Sequence, residues 1–361
     1  MNIIFFTMVM GRGGAERVIT NLANYYKNCG DDVTIATCQN LQCQYSLQKG
    51  IHFITLDMEN SNQNKIVRFI CRRKSLAKLL KDKNYDIALC FLPEPSFIML
   101  SLKKRFHIKV LVSERWDPVQ EYSRLSHKLI MNFLYPQANG FVFQTKEAQN
   151  YFKDSIKNNS VIIPNPISDD FLNETYEPIR RKEIVAIGRL NPQKNHKLLI
   201  NAFKLVHQKF PDYILKIYGK GILQEELSLQ IKELYLEEAV FLMGEVEHVN
   251  QILKGAGMFV LSSNSEGMPN ALMEAMAMGL PVVSTDCPCG GPRFLIQDGV
   301  NGFLTDVGNI QALANKIIIL LENPQLAERF ALNAMNIIEH IKPERVYNQW
   351  RDYIQKVCDE P

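Results

Sequence analysis

Long apolar runs are missing: none of the 361 residues fall in a stretch of the ~18 consecutive apolar positions that a membrane span requires, although 46% of the chain is hydrophobic. Among the eight cysteines no Cys-x-x-Cys spacing occurs, and no His or further Cys stands near Cys287 and Cys289 to complete four ligands. A zinc site is therefore not expected, and the scattered thiols read as small, mostly buried apolar residues of a reducing compartment. Gly11-Arg12-Gly13-Gly14 follows the first apolar run where the spacing G-x-G-x-x-G would stand, and no acidic residue closes a second strand near 33–37. That excludes the dinucleotide fingerprint, so no such cofactor is expected. An Asp-x-Asp pair is also missing, which leaves no obvious carboxylates for a divalent ion. Residues 1–10 are apolar but lack a basic leader and a small-residue cleavage site, so they read as a first strand, and the protein is expected to stay in the cytosol.

The chain is long enough for two cores. Charged residues make up 22% of it and mean hydropathy is -0.13, ordinary for a globular protein. Apolar runs at 2–9, 32–37, 52–56, 86–91, 109–112 and 140–143 alternate with helical periodicity at 15–27 and 64–81, and the same alternation resumes after residue 183. Such alternation predicts α/β domains with parallel sheets covered on both faces. The breaker Ile163-Pro164-Asn165-Pro166 and the polar stretch behind it predict a linker over 167–182, between domains at 1–166 and 183–342. Charge is uneven: residues 1–170 hold 22 Lys and Arg against 15 Asp and Glu, whereas the remainder is acidic. Most of the excess lies between Lys65 and Lys109, with 12 basic and three acidic residues.

Residues 262–279, reading SSNSEGMPNALMEAMAMG, concentrate the chemistry. The apolar run 258–261 predicts a strand, 262–267 a turn, and Pro269 suits the first turn of a helix that Gly279 ends. Glu266 is then in the strand-to-helix loop and Glu274 about one turn into the helix. The free amides around 268–271 form an anion site at the helix start with a carboxylate on each side, so Gly267, Met268, Pro269 and Asn270 are expected to bind the ligand's anionic end. Two plainer readings stay open from these residues alone: Glu266 as a helix cap and Glu274 as a solvated helix residue. Arg189 at a strand end and Lys194 at the next helix start either converge on one anion or stand as solvated charge. Glu114 and Arg115 follow the strand 109–112 in a charged loop, as ligand contacts or as a mutual surface ion pair.

The segment EGMPNALMEAMAMGLPVVSTD at 266–286 resembles the signature of the retaining family 4 glycosyltransferases, which have the two-domain B-type fold. GRGGAERV at 11–18, IPNPI at 163–167, GRLNPQKNH at 188–196 and DGVNGFL at 298–304 extend that resemblance over nearly the whole chain. It implies two Rossmann-like domains facing a cleft, the first binding acceptor and the second nucleotide sugar, with 343–361 returning to the first. It implies that Arg189 and Lys194 neutralise the donor diphosphate, that Glu274 binds ribose hydroxyls, and that Glu266 holds the donor sugar. Gly13 and Gly14 would lie near the diphosphate and the acceptor. Relatives commonly carry a His where Arg115 stands and a Glu where Phe294 stands, so this chain departs from the pattern at both places.

The resemblance further implies retention of anomeric configuration; with no Asp-x-Asp motif and two basic side chains to replace an ion's charge, transfer is expected to need no metal. The expected partners are a nucleotide sugar, a UDP-sugar above all, and a sugar on a polyprenyl diphosphate in O-antigen or capsule assembly. The basic helix predicted at 64–81, with Arg72, Arg73 and Lys74, is expected to bind an anionic inner-membrane surface from the cytoplasmic side. Nucleic acid is not expected, since no stacking-aromatic pattern accompanies the basic residues. Two rivals stay open: a nucleotide-sugar epimerase and a non-catalytic sugar-binding subunit.

Overall fold

The computed structural model describes the chain except Arg12, 40–42, Gln44, 57–63, Asn173, Thr175, Pro361 and the side chain of Lys65. The described residues form two units, Met1–Asn165 with Glu344–Pro361, and Pro166–Pro343.

The first unit is built on β1 (Asn2–Thr7), β2 (Asp32–Thr37), β3 (His52–Thr55), β4 (Ile87–Phe91), β5 (Lys109–Ser113), β6 (Gly140–Phe143) and β7 (Ser160–Ile162). All pairings are parallel, in the order β3-β2-β1-β4-β5-β6-β7. The central β4, Ile-Ala-Leu-Cys-Phe, is buried at every position, as expected of a strand covered by helices on both faces. Covering helices include α1 (Gly14–Asn28), α2 (Lys65–Asp82), α3 (Pro93–Phe106), the short α4 (Pro118–Glu121) and α5 (Leu125–Leu134).

The helix Pro343–Asp359 returns to this unit and buries Val346, Trp350, Ile354 and Val357, spaced as one helical face. Its Tyr353 hydroxyl donates to the Asn159 carbonyl at 3.0 Å and accepts from the Phe141 amide at 3.2 Å. A Cβ on Gly140 would come within 2.5 Å of that hydroxyl oxygen, so the glycine is required for the close approach.

The second unit carries β8 (Glu183–Ile187), β9 (Ile214–Tyr218), β10 (Val240–Gly244), β11 (Met258–Leu261), β12 (Val282–Thr285) and β13 (Phe303–Thr305), parallel in the order β10-β9-β8-β11-β12-β13. The order reverses between β8 and β11, and in the first unit between β1 and β4. Loops leaving the carboxyl ends of two such neighbours diverge to opposite faces and open a crevice, the usual ligand position of doubly wound sheets. Ile167 and Phe171, from the stretch expected as a linker, pack in the second unit's core, and the Ile167 amide bonds the Ile341 carbonyl.

Among the described residues no helix is long and apolar enough to cross a membrane.

Candidate active site

In the second unit the loops after β8 and β11 are laced together. Ser262 Oγ donates to the Lys194 carbonyl at 3.0 Å, Gln193 Nε2 to the Ser265 carbonyl at 2.9 Å, and Asn264 Nδ2 to the Pro192 carbonyl at 2.8 Å. The Asn264 amide adds a bond to the Gln193 carbonyl at 2.7 Å. This lattice brings Lys194 Nζ to 2.5 Å from Glu266 Oε1, which also accepts from Ser263 Oγ at 2.6 Å. Glu266 is only 7% exposed, and a carboxylate that deep is tolerated because a cation and a hydroxyl replace its water. Arg189, two residues past β8, is exposed at the edge of this site.

The helix after this loop is Asn270–Ala277, with Pro269 at its N-cap and no side-chain cap bond. Glu266 is therefore not a helix cap; it is spent on Lys194 and Ser263. Pro269 stands one position earlier than the first turn in which it was expected. Met268 is buried beside it, and the Leu272 and Met273 amides bond back to the Pro269 carbonyl, with Ala271 in the first turn beside them. Glu274 is 3% exposed, on the inner face of the helix, so the solvated reading fails. Behind Gly267 runs the loop after β12: a Cβ at Gly291 would fall 2.0 Å from the Gly267 carbonyl oxygen, so only glycine allows this approach. In the same loop Arg293 pairs with Asp286, and Phe294 is exposed.

His196 completes the support. Its Nε2 lies 3.3 Å from the Gly188 carbonyl, and burial pulls its pKa down to about 4. A neutral ring facing a carbonyl must carry its proton on Nε2, so His196 fixes the turn that carries Arg189. In the sequence His196 stands only within the 188–196 motif, and Ser263 and Asn264 read as turn residues. The Ser/Asn density of 262–265 was the available signal for a loop with this many side-chain bonds.

In the first unit Gly13 is the N-cap of α1, with extended backbone at φ -124° and ψ 168°, and Gly14 is its first residue. The Tyr45 hydroxyl donates to the Gly13 carbonyl at 3.1 Å. Arg12, within the same motif, lies outside the described residues.

Glu114 and Arg115 do not form the surface ion pair left open by the sequence, because both are buried with other partners. Glu114 Oε1 accepts from the hydroxyls of Tyr122, at 2.7 Å, and Tyr135, and the two phenol oxygens lie 2.6 Å apart. Burial pushes the Glu114 carboxyl up to about 7 against the opposing pull of the phenols. Arg115 is stacked on Phe91 and Trp350, 5.2 and 5.3 Å from the ring centres, and donates to Asn165 Oδ1 at 3.0 Å. Burial pulls its guanidinium down to about 9. Arg115 thus joins the loop after β5, the IPNPI motif and the returning helix, and it reaches these partners from beneath the surface.

The basic run of α2 is also more internal than expected. Arg72 is buried and paired with Glu94, and Arg73 Nε donates to Ser101 Oγ at 3.0 Å. Lys74, Lys78, Lys104 and Arg105 remain exposed. The eight cysteines are free thiols and half are buried; burial pushes Cys287 up to about 12, which keeps it protonated and inert.

Comparison with known proteins agrees with this architecture. The family profile described as Glycosyltransferase Family 4 matches residues 12–171, and that described as Glycosyl transferases group 1 matches 169–336. The chain is 30% identical over 346 residues to N-acetylgalactosamine-N,N'-diacetylbacillosaminyl-diphospho-undecaprenol 4-alpha-N-acetylgalactosaminyltransferase of Campylobacter jejuni, covering 90% of this chain and 91% of that protein. It is 26% identical to the amylovoran biosynthesis glycosyltransferase AmsD of Erwinia amylovora, covering 98% and 99%. Among solved structures, HepE of Anabaena, determined with UDP, aligns at a TM-score of 0.85 and 20% identity over 99% of this chain and 100% of that one, a likeness of fold. Matched by family profiles in both halves, and nearly end to end by a glycosyltransferase at 30% identity, the chain belongs to the family 4 glycosyltransferases, with their two Rossmann-like α/β domains.

Proposed function

We propose that the protein moves a hexose or N-acetylhexosamine from a UDP-sugar, with retention and without a metal ion, to a sugar carried on a polyprenyl diphosphate in O-antigen or capsule assembly. The observation that carries this reading is the buried Lys194–Glu266 pair at the β8/β11 switch point, beside an exposed Arg189 and a helix start. The barrier in such a transfer is the charge that develops on the departing diphosphate. Arg189, the start of the helix Asn270–Ala277, and the ammonium protons of Lys194 not spent on Glu266 are suited to receive it. Glu266 accepts hydroxyl bonds from the donor sugar and offsets positive charge at its anomeric carbon; Glu274 takes the ribose hydroxyls. A leaving phosphate oxygen then accepts the acceptor's proton, so a separate base is not required.

The acceptor side is assigned to the Gly13–Gly14 loop, with Glu114 and Arg115 as its buried supports. The name of the Campylobacter relative, which specifies an undecaprenol diphosphate acceptor, and the UDP complex of HepE support the two substrate classes. Attachment to the anionic cytoplasmic face of the inner membrane is assigned to exposed basic residues such as Lys74 and Lys104, since Arg72 and Arg73 are spent internally.

The test is a donor screen by nucleotide release with purified protein and lipid-linked glycans, followed by NMR of the new linkage. An α-linked product from an α-donor is expected; an inverted product would overturn the retaining assignment. Turnover of donor alone to an epimer would establish the rival activity. Glu274→Gln should mainly raise the donor KM and Glu266→Gln mainly lower kcat. Equal damage to one constant in both variants would remove the division of roles.

A further inference from the structure

A groove of about 970 Å3 lies in the first unit between α2, α3 and α5, at the upper end of the roughly 300–1,000 Å3 range of small-molecule sites. Its walls are mainly apolar, with Ile66, Phe69, Phe97, Leu129 and Phe133 among them. Exposure here is unusual for large apolar side chains: Ile66 is 68%, Leu129 60% and Phe133 75% accessible. The same groove is lined by Arg68, Arg124 and His127, against Glu121 and a Glu94 already paired with Arg72. Arg68 Nε and His127 Nδ1 are shielded from water and have no hydrogen-bond partner. Met8, just past β1, and Leu92, just past β4, also line it, so one end opens at the carboxyl edge of the sheet, at its switch point.

We propose that this groove holds the first isoprene units of the lipid-linked acceptor, with Arg68 and His127 turned to its diphosphate and the sugar presented at the sheet edge. The inference rests on the acceptor class assigned above and adds a place and a specificity to it. An apolar wall, an arginine and nitrogen atoms without a hydrogen-bond partner in one concavity suit one amphiphile with an anionic head and a long, methyl-branched apolar tail. A bilayer surface would be met by a convex apolar face, and a second copy of the chain would have no use for the excess of positive charge.

Binding is read directly, with a fluorescent farnesyl diphosphate analogue below its critical micelle concentration and the full-length protein. Unlabelled farnesyl diphosphate should compete at least ten-fold better than inorganic diphosphate. Phe133→Asp and Leu129→Asp, both at exposed positions, should weaken the probe at least ten-fold while leaving UDP binding and thermal unfolding unchanged; Arg68→Gln should weaken it several-fold. Equal competition by inorganic diphosphate, or an unchanged affinity in Phe133→Asp, overturns the proposal. So does loss of binding to anionic vesicles free of polyprenyl lipid with prenyl binding intact, which marks a bilayer surface, or a dimer that Phe133→Asp dissociates.

Transfer separates the two readings. Equal kcat/KM for a glycan diphosphate on a methyl group and on a farnesyl chain removes the groove's role and leaves the transferase reading standing. Tight prenyl binding without transfer to any lipid-linked sugar removes the acceptor assignment and leaves the groove.

Discussion

Glu266 and Glu114 are buried to a similar depth, 7% and 2% exposed, and each follows a strand at the carboxyl edge of its sheet. Their partners differ in kind. Glu266 is held by a cation and a hydroxyl from two laced loops that also carry an exposed arginine, so it lies next to a place a ligand reaches. Glu114 is held by two phenols inside an aromatic cluster with Phe152 and Phe141, without a cation, and its carboxyl is pushed up to about 7. Burial alone therefore does not identify a working carboxylate. The kind of partner separates a carboxylate paired with a cation at a reachable edge from one enclosed by phenols as an internal strut.

The largest effect that tests this contrast is loss of Lys194. Lys194→Met leaves Glu266 buried without its cation and removes a donor from the departing diphosphate, so kcat should fall about 10²–10³-fold, as for loss of one preorganised donor. Nucleotide-release kinetics on folded, monodisperse protein measures it. A fall below ten-fold would place Glu266 with Glu114, as a strut.

Glu114→Ala should act on stability and spare donor binding. Two buried phenols lose their acceptor, at a cost of about 2–4 kcal/mol from the desolvation penalty of unpaired polar groups. Chemical denaturation and the donor KM, measured together, check it. A raised KM at wild-type stability would make Glu114 a ligand contact.

How much of this was legible follows from the range of each interaction. Strands such as β4 and β11 were readable because they are continuous apolar runs, and the helix after 269 because its breaker residues lie within one turn of its ends. The helix α3 was not among the expected elements; Pro93 and Pro95 occupy its first turn, where proline's missing amide is harmless. The three-residue β13 was hidden inside the DGVNGFL motif, too short for a period to show. Arg189, Lys194, Glu266 and Glu274 could be named from local pattern and resemblance. The Lys194–Glu266 bond could not, because it spans 72 residues and exists only when β8 and β11 are neighbours. Likewise Arg72 and Arg73 looked like a basic face because their partners, Glu94 and Ser101, come from another helix.

A smaller effect sharpens the comparison through pH. The folded-state pKa of Glu114 is raised from 4.5 to about 7, so the native state binds more protons than the unfolded chain between those values. Its contribution to stability is therefore complete below about pH 4.5 and is lost as pH rises through about 7, by at most roughly 3 kcal/mol. Glu114→Gln, which stays neutral and still accepts from both phenols, should flatten this part of the stability profile. An unchanged slope would mean that other groups supply it.

The smallest expected effect is that of a chelator. Transfer from a sugar diphosphate needs positive charge at the leaving group, supplied by a divalent ion in some sites and by fixed cations in others. Here Arg189 is exposed two residues past β8, and Lys194 spends one of three ammonium protons on Glu266, so in the proposed reaction two cationic side chains and a helix start serve one leaving group. Glu266 is already paired with Lys194, which weakens it as a metal ligand. Activity in EDTA should stay within two-fold of the control at both saturating and limiting donor. Loss of activity restored by magnesium or manganese would mean that the Lys194–Glu266 pair opens to let Glu266 bind an ion, and that its partnership with Lys194 is a resting state of the site.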